Sequence, residues 1–390
     1  MPTQTADAVV IGAGINGAAT AMNLVKRGMK SVVLIDKHLI ASGGTGRSAA
    51  IIRQHYSNEE LVRMVKRSVE VFSHFDDEIG GDCGFVNTGW AFFVPASVAE
   101  GFEKNVAMGR RLGVDVREID PEDLRAIEPR VQIDDVARIA YEPGSGYADP
   151  VRTTHAYVRR FVELGGRLQT LTAVTGLTQS RGRISGVQTD QGEFATGVVV
   201  NAAGPWAARI ARWVGVELPI EVTREEEIIV ETADAGGPPK LCFSDMAQAF
   251  YYRPHGPTQM LVGRGYPKEY ETVDPDAFRA PVAVPFIREL RDRLHRRWPC
   301  FRGSVAVNSY TGLYDVTPDW HPVLGPVDGV KGFYLCAGFS GHGFKIGPAV
   351  GELMAELIEN GSPTVPLDRF RLERFRGGDL VTAAYGGNRA

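Results

Sequence analysis

Short apolar runs and longer helical patterns alternate along the chain, starting near its amino end. The run Ala8–Ile11 (AVVI) predicts a buried strand, and residues 18–28 (AATAMNLVKRG) predict a helix that ends at Gly28. Residues 31–35 (SVVLI) predict a second buried strand, which Asp36 follows. This order gives a strand–helix–strand unit of about thirty residues.

Three glycines, Gly12, Gly14 and Gly17, stand between the first strand and the helix in the pattern GxGxxG. Gly12 permits a tight turn, Gly14 lets the backbone approach a pyrophosphate, and Gly17 lets the helix pack on the strand. The helix N-terminus favours phosphate, and Asp36 lies where an acid binds ribose hydroxyls. The unit predicts a dinucleotide site, FAD or NAD rather than NADP. A glycine-rich turn without a nucleotide is the alternative.

Three later segments favour FAD. Residues 41–53 (ASGGTGRSAAIIR) form a glycine- and serine-rich loop, and residues 198–208 (VVVNAAGPWAA) run from an apolar strand into a small-residue turn. Residues 338–345 (GFSGHGFK) separate another apolar strand from an apolar helix. A second helix N-terminus suits a reduced flavin, which carries negative charge on its pyrimidine edge. NAD has no matching requirement.

Other stretches complete the pattern. Residues 58–80 and 149–166 predict helices, and residues 285–299 predict an arginine-rich helix with a solvated face. Residues 88–94 and 248–265 read as strands. The elements together favour an α/β protein.

Composition and charge exclude several classes of protein. The chain has 390 residues, of which 44% are hydrophobic and 23% charged, and its net charge is −4. These values are typical of a globular protein with two domains or one large composite, and they give no support for a nucleic-acid partner. The four cysteines have no metal-ligand spacing, so no metal site is predicted. Without a signal peptide or an apolar run long enough to span a membrane, a cytoplasmic location is expected.

The motifs, taken in order, resemble the FAD-dependent amine oxidoreductases that include D-amino-acid oxidase, glycine oxidase and sarcosine oxidase. The likeness is strongest to the sarcosine oxidases, both the single-chain enzyme and the FAD-bearing β subunit. The matching stretches spread over residues 8–358 and are GAGINGAATAMNLVKRG, TGRSAAIIRQHYSN, GYADPVRTTHAYV, VVNAAGPWA, YTGLYDVTPDWHPVLGPV and CAGFSGHGFKIGPAVGELMAELI.

The resemblance implies a Rossmann-type FAD-binding domain with an inserted α+β substrate domain built on a mixed sheet. The expected FAD domain is discontinuous and comprises residues 1–85, 147–215 and 312–370. Residues 86–146 and 216–311 are expected to form the substrate domain over the flavin. Residues 371–390 are glycine-rich and are expected to be a flexible tail.

Motifs and resemblance together predict the cofactor-binding residues. They are Gly12, Gly14, Ile15, Asn16, Gly17, Asp36, Lys37, Ser42, Gly43, Arg47, Ser48, Ala49, Val174, Ala202, Ala203, Gly204, Trp206, Gly312, Gly338, Gly341, His342, Gly343, Phe344 and Lys345.

Two basic residues are candidates for binding a substrate carboxylate. Arg53 lies in an apolar stretch, and Lys345 stands at a helix start, where a cation is unfavourable unless an anion lies nearby. The resemblance implies that both bind the carboxylate. A structural ion pair for Arg53 and a surface position for Lys345 are the alternatives.

Two further side chains are candidates for the reacting site. The resemblance places His342 near substrate and flavin, although a histidine packed in the turn is an equal alternative. It also places Tyr252 in the wall of the substrate cavity, with a core aromatic on a strand as the competitor. On a strand, Arg253 would point to the opposite face from Tyr252, so only one of the pair is expected to meet the ligand.

The chain departs from the single-chain sarcosine oxidases at two positions. Those enzymes attach FAD through a cysteine two residues before a Tyr-Thr pair, but here Asn308 precedes Tyr310 and Thr311. Non-covalent FAD is therefore predicted. Leu261 takes the place of a lysine that promotes reaction with dioxygen, which leaves oxidase and dehydrogenase activity open.

The predicted reaction is hydride removal from the carbon next to the nitrogen of a small amino acid, giving an imine that hydrolyses. A secondary amine such as sarcosine is the favoured substrate, with dioxygen or another electron acceptor. The alternatives are a D-amino-acid oxidase, a 2-hydroxy-acid oxidase with His342 as base, an NAD-linked dehydrogenase, and the FAD-bearing subunit of a multi-chain dehydrogenase. The last alternative would bring partner subunits.

Overall fold

The predicted strand–helix–strand unit forms at the amino end of the computed structural model, which describes residues 4–266 and 268–385. All four residues of the first strand and all four of the second are buried. The helix between them starts directly after Gly14, and Gly28 follows its end with φ of +107°. Residue 28 therefore has the left-handed conformation that glycine adopts at helix ends.

The helices are α1 (Ile15–Lys26), α2 (Glu59–Ser73), α3 (Phe75–Glu78), α4 (Ala99–Arg111), α5 (Pro121–Ile127), α6 (Pro150–Glu163), α7 (Ala207–Arg212), α8 (Val284–Arg297), α9 (Gly343–Asn360) and α10 (Arg374–Gly377). Short 3-10 helices lie at Thr45–Arg47, Ala96–Val98, Gly204–Trp206, Ala233–Ala235, Pro299–Phe301 and Asp368–Phe370.

The strands are β1 (Gln4–Thr5), β2 (Ala8–Ile11), β3 (Val32–Ile35), β4 (Ile51–Ile52), β5 (Trp90–Val94), β6 (Arg117–Glu118), β7 (Arg138–Glu142), β8 (Gly146–Tyr147), β9 (Arg167–Gln169), β10 (Val174–Ser180), β11 (Arg183–Thr189), β12 (Gly192–Ala195), β13 (Val199–Asn201), β14 (Glu221–Glu231), β15 (Cys242–Asp245), β16 (Phe250–His255), β17 (Gln259–Arg264), β18 (Glu271–Thr272), β19 (Ala306–Val316), β20 (Val323–Val327) and β21 (Val330–Ala337).

The first sheet is built around five parallel strands in the order β21-β13-β2-β3-β9. Parallel neighbours share one carboxyl edge, and four predicted motifs follow strands that end there. Gly12 follows β2, Asp36 follows β3, Ala202 follows β13 and Gly338 follows β21. Ligands of open α/β sheets bind at this edge, so the topology gathers motifs that lie more than 300 residues apart in the chain.

The second sheet is mixed and runs in the order β18-β14-β17-β16-β15-β5-β7-β6, with β19 against β14. Strands β15 and β5 are parallel and the other pairs are antiparallel. One face packs on helix α8 through a separate apolar core. Strand β19 then leads to the turn before β20 and so joins the two sheets.

Helices α1 and α9 pack unusually closely. A side chain on Gly351 would overlap Ala19 of α1, whose carbonyl carbon would lie 2.6 Å from the added Cβ. A Cβ on Gly347 would lie 2.7 Å from Ile15. The two glycines therefore set the spacing between the helices, whose N-termini both lie at the carboxyl edge of the first sheet.

The described part of the tail does not fit the flexible segment predicted for residues 371–390. Leu372, Val381 and Tyr385 are buried, and Arg374 forms a buried ion pair with Asp319. Residues 386–390 lie outside the described residues. The prediction was wrong for residues 371–385 because composition does not show a buried counter-ion far away in the chain.

Within residues 4–266 and 268–385, no helix is long and apolar enough to cross a membrane.

Candidate functional site

A cavity of about 1020 Å³ lies at the carboxyl edge of the first sheet. Most of the predicted cofactor-binding residues line it, although they come from segments that lie far apart in the chain. They are Gly12, Gly14, Ile15, Asn16, Asp36, Lys37, Ser42, Gly43, Arg47, Ser48, Val174, Ala202, Ala203, Gly204, Trp206, Gly341, Gly343 and Phe344.

The remaining predicted cofactor residues lie elsewhere. Gly17, Gly312 and Gly338 pack behind the residues that line the cavity, and in each case the structure shows why a glycine or its backbone is needed there. A Cβ on Gly17 would overlap the carbonyl oxygen of Gly12, and one on Gly312 would lie 3.3 Å from Cβ of Arg47. The amide of Gly338 donates to Oδ2 of Asp315 at 2.7 Å. Ala49, His342 and Lys345 line a second, adjoining cavity.

Two helix N-termini open into the large cavity, and at that of α1 the hydroxyl of Thr45 accepts the amide of Ile15 at 3.2 Å. Helices α1 and α9 have Gly14 and His342 at the N-cap, neither of which accepts a capping hydrogen bond with its side chain, and neither helix has an acid in its first turn. Helix N-termini attract anions. Asn16 adds a buried Oδ1 without a hydrogen-bond partner, while its Nδ2 donates to the carbonyl of Gly343 at 3.4 Å.

Asp36 lies at the end of β3 and faces the same cavity. Its Oδ2 accepts the amide of Ala13 at 2.7 Å, and its Oδ1 accepts the amide of His38 at 2.7 Å. Each carboxylate oxygen can accept a further hydrogen bond. The acid is thus fixed by the backbone and can still accept from ribose hydroxyls.

A cluster of charged and aromatic side chains holds the outer mouth of the large cavity. Asp276, from the loop after β18, accepts from Nε1 of Trp206 at 2.8 Å and from Nζ of Lys37 at 3.1 Å, and it pairs with Arg209. Nζ of Lys37 also lies 3.9 Å from the centroid of the Trp206 ring. This cluster ties the 274–278 loop to the first sheet.

The second cavity, of about 200 Å³, lies between the two sheets. It shares Ser48, Tyr314, Gly341 and Phe344 with the large cavity, so the two spaces adjoin. Aromatic side chains form much of its wall and include Trp90, Phe92, Phe250, Tyr251, Tyr314 and Tyr385.

Arg53 and Lys345 both line this second cavity, and neither forms an ion pair with a carboxylate of the described residues. The guanidinium of Arg53 donates to the carbonyl of His55 and lies 4.7 Å from the ring centroid of Tyr56. Burial, and then the charge of Arg53, hold the pKa of Lys345 well below its usual value. Two basic side chains in a small, largely aromatic cavity form a site for an anion, because a bound anion favours their charged forms.

His342 lies beside these cations. Its Nδ1 is 3.4 Å from Oη of Tyr56, and its Nε2 is buried without a partner. Burial, followed by the charges of Lys345 and Arg53, lowers the pKa of His342 well below its usual value. The imidazole is therefore neutral and has a free ring nitrogen in the cavity wall.

Tyr252 does not line either cavity, which corrects the prediction for this residue. It is fully buried in the core of the second sheet, where its ring lies 4.9 Å from those of Phe243 and Phe250. Its neighbour Tyr251 lines the cavity and donates from Oη to Oε1 of Glu227 at 2.6 Å. Of these two neighbouring tyrosines, Tyr251 is therefore the one that lines the cavity.

Sequence reasoning missed several residues of the second cavity. The predicted strand places Tyr251 on the opposite face from Tyr252, but it does not show which face meets the cavity. Lys268 and His55 also line the cavity, and Lys268 pairs with buried Glu225. No local signal marks Tyr385, which lies in a tail that the sequence presents as loose.

The residues of the large cavity fit FAD. The cavity contains two helix N-termini whose N-cap residues make no side-chain capping bond, the acid after β3 and the partnerless Oδ1 of Asn16. At the turn of Gly12, a side chain would overlap Ala202. Together these features match a pyrophosphate, a ribose and a polar ring edge. The fold and the large cavity are typical of a dinucleotide-binding protein, and a second, smaller cavity adjoins the first between the two sheets. A family model described as FAD dependent oxidoreductase matches residues 7–357, and the chain belongs to this family.

Curated relatives match over almost the whole chain. Sarcosine dehydrogenase, mitochondrial, of Mus musculus is 26% identical, and the match covers 95% of this chain and 41% of the relative. Sarcosine oxidase subunit beta of Arthrobacter sp is 25% identical over 97% of this chain and 93% of the relative. The chain thus spans about two fifths of the length of the sarcosine dehydrogenases that it matches.

Solved structures show the same fold. L-proline dehydrogenase from P. horikoshii is 32% identical, with a TM-score of 0.90 over 97% of this chain and 100% of that chain. Glycine oxidase from Geobacillus kaustophilus has a TM-score of 0.83 at 23% identity, over 95% and 99% of the two chains, and is similar in fold. The predicted family and fold class are confirmed.

Proposed function

We propose that this protein oxidises a small secondary amino acid at the carbon next to nitrogen, with L-proline and sarcosine as the first candidates. One observation carries the proposal: Arg53 and Lys345 are basic side chains without ion-pair partners among the described residues, in a small aromatic cavity that adjoins the dinucleotide cavity. The 32% identity to an L-proline dehydrogenase over nearly the whole chain supports this substrate class.

In this proposal, the first sheet with α1 and α9 forms the FAD domain, from residues 1–85, 147–215 and 312–370. The N-termini of α1 and α9, Asp36 and the cluster around Asp276 would hold the cofactor. Bound FAD supplies the acceptor for the hydride. Residues 86–146 and 216–311 form the substrate domain, whose sheet closes the smaller cavity.

The protein's own side chains bind, orient and enclose the substrate. Arg53 binds the carboxylate with its fixed fork of donors, and Lys345 adds a second positive charge. The aromatic wall of Trp90, Phe92 and Tyr251 packs on the apolar part of the substrate and excludes water. The same cations disfavour an ammonium group, so the amine binds in its neutral, reactive form.

A second candidate is the FAD-bearing subunit of a multi-chain enzyme. It is favoured by the match to a sarcosine oxidase subunit beta, which covers 93% of that subunit. Such a subunit would carry out the reductive half-reaction and pass electrons through its partners. Dioxygen is the alternative to partner subunits as the acceptor of electrons from the reduced flavin. Leu261, which stands at the position of the lysine in the sarcosine oxidases, is buried and lines neither cavity.

Absorbance spectroscopy tests the proposal. The purified holoprotein is mixed without air with L-proline, sarcosine, D-proline, L-alanine, D-alanine or L-lactate, and bleaching of the flavin band is followed. Rapid bleaching by a secondary amino acid, but not by L-alanine or L-lactate, is expected. Bleaching only by lactate, or only by a primary D-amino acid, would refute the proposed substrate class. Reoxidation by air then distinguishes an oxidase from a dehydrogenase.

A further inference from the structure

The end of the described chain forms part of the wall of the smaller cavity. Tyr385 is only 4% exposed and lines this cavity together with Arg53 and Lys345. Helix α4 makes room for the tail at Gly101, where a Cβ would lie 2.7 Å from the carbonyl oxygen of Ala384. The tail therefore packs against α4 on its way to the smaller cavity.

A buried ion pair fixes this path further upstream. Nε of Arg374 donates to Oδ2 of Asp319 at 2.7 Å, and both side chains are almost fully buried. The same carboxylate oxygen accepts the amide of Val381 at 3.1 Å. Asp319 precedes Trp320, which lines the cavity, so one acid holds both the tail and a piece of the cavity wall.

His55 connects the tail to the predicted carboxylate site. Oη of Tyr385 lies 2.6 Å from Nε2 of His55, and the two rings stack with centroids 5.8 Å apart. Burial, and then the charge of Arg53, lower the pKa of His55 to about 3, so the imidazole is neutral. The main-chain carbonyl of His55 accepts from the guanidinium of Arg53. One residue thus contacts the tail through its ring and Arg53 through its backbone.

We infer that Tyr385 is a positioning residue for substrate binding: by holding His55, it fixes the carbonyl that holds Arg53 toward the cavity. Arg53 forms no ion pair with a described carboxylate; it lies over the faces of Tyr56 and Trp90, and its charge opposes the rise that burial causes in the pKa of the Glu142 carboxyl group. A guanidinium binds a carboxylate through two parallel hydrogen bonds only when its plane is fixed. The inference rests on the proposed function, since it assigns the carboxylate to Arg53.

The Tyr385→Phe variant tests the inference because it keeps the ring in the wall and removes only the hydroxyl. The probe is cyclopentanecarboxylate, a ring carboxylate without an oxidisable amine, titrated into the holoprotein while the flavin spectrum is recorded. Loss of the neutral hydrogen bond to His55 is expected to raise the dissociation constant of the probe about 3- to 10-fold, and Asn105→Ala, which removes the second partner of the hydroxyl, is expected to leave it unchanged. For an amino acid that the protein oxidises, KM is expected to rise by a similar factor in this variant, and kcat is expected to stay unchanged.

A double-mutant cycle separates positioning from wall-filling. In the Arg53→Ala background, Tyr385→Phe is expected to have no further effect on probe binding, because the group that it positions is gone. Tyr334→Phe is the matched control, since Tyr334 lies on β21 and lines neither cavity. This control is expected to leave probe binding unchanged.

Three results would overturn the inference: equal probe affinity in Tyr385→Phe and the parent protein, additive effects of the two substitutions, or no probe binding by the parent protein. Failure of the proposed function looks different. In that case no secondary amino acid bleaches the parent flavin, while the effect of Tyr385→Phe on probe binding can still be measured.

Discussion

Arg53 and Lys345 show how much a single side chain depends on its surroundings in this protein. Desolvating a cation costs free energy unless an anion or polar groups compensate. Arg53 is compensated by one carbonyl and two aromatic faces, and Lys345 by a lowered pKa. A bound carboxylate would offset the desolvation cost of both side chains. The burial of Arg53 and Lys345, which lowers stability without a ligand, would therefore contribute to the affinity for a carboxylate.

Arg53→Lys tests the need for the guanidinium fork, since it keeps the charge and removes the paired donors. The dissociation constant of cyclopentanecarboxylate is expected to rise about 10- to 100-fold, which corresponds to a lost charge-assisted hydrogen bond. The flavin difference spectrum measures this. Arg302→Lys is the control because Arg302 is exposed and lines neither cavity. An unchanged affinity in Arg53→Lys would remove Arg53 from the carboxylate site.

Lys345→Met tests the cost of the buried amine through the pH dependence of stability. The pKa of Lys345 is lowered in the folded chain, so between that pKa and 10.5 the unfolded chain binds one more proton than the folded chain. The free energy of unfolding contributed by this group therefore rises with pH across that window.

The methionine variant is expected to lose this contribution to the slope and to gain on the order of 1 kcal/mol of unfolding free energy at pH 7. Urea unfolding of the holoprotein at several pH values, without carboxylate, measures both. Binding of cyclopentanecarboxylate is expected to weaken in the same variant. An unchanged pH slope would show that Lys345 keeps its ordinary pKa.

The close packing of helices α1 and α9 forms part of the cofactor cavity. Gly347 and Gly351 let α9 approach α1, and this approach brings two helix N-termini to one cavity. Both helices bury most of their residues, so the apolar pattern alone would let them pack at several spacings. The two glycines restrict the spacing because only a backbone without Cβ fits there.

Gly351→Ala is expected to force α1 and α9 apart, because the new Cβ would overlap Ala19. Overpacking of this kind costs about 1–3 kcal/mol of unfolding free energy, and the displaced N-termini would also bind FAD less tightly. Thermal unfolding and FAD titration of the apoprotein measure the two effects. Gly197→Ala is the control, since nothing lies within 4 Å of its added Cβ. Equal FAD affinity in Gly351→Ala would contradict the spacing role of the glycine.

At the scale of the whole molecule, the smaller cavity lies between a parallel sheet and a mixed sheet. The parallel sheet supplies the dinucleotide edge, and the mixed sheet supplies aromatic side chains that cover it. The loop of Asp276 and the tail of Tyr385 cross from elsewhere in the chain to the two cavities. The site is therefore complete only when distant segments have packed.

FAD is expected to be held without a covalent bond. Asn308 stands where the single-chain sarcosine oxidases have their attachment cysteine, and it lines neither cavity. Cys336 does line the large cavity, but burial raises the pKa of its thiol to about 12, so it is not a nucleophile at neutral pH. Acid precipitation is expected to release all the flavin into the supernatant. Yellow colour that stays with the precipitated protein would contradict this prediction.

Motifs at the ends of strands were predictable because each is a local arrangement. A short apolar run, a glycine turn and an acid or helix start follow one another in sequence, and the backbone rules that connect them act over a few residues. The segments at Gly12, Asp36, Ala202 and Gly338 were located in this way, and most of the predicted cofactor residues line one cavity.

The amino-acid sequence alone determined the family, the cofactor edge and two cations of the smaller cavity, since each rests on local pattern and residue type. Only the tertiary structure decided that Tyr251 rather than Tyr252 meets the cavity, and that the tail is packed with Tyr385 against His55. Which face of a strand is covered, and which distant acid pairs with Arg374, depend on how whole layers pack. Such packing adds many weak contacts between segments far apart in the chain, and no short stretch of sequence contains them.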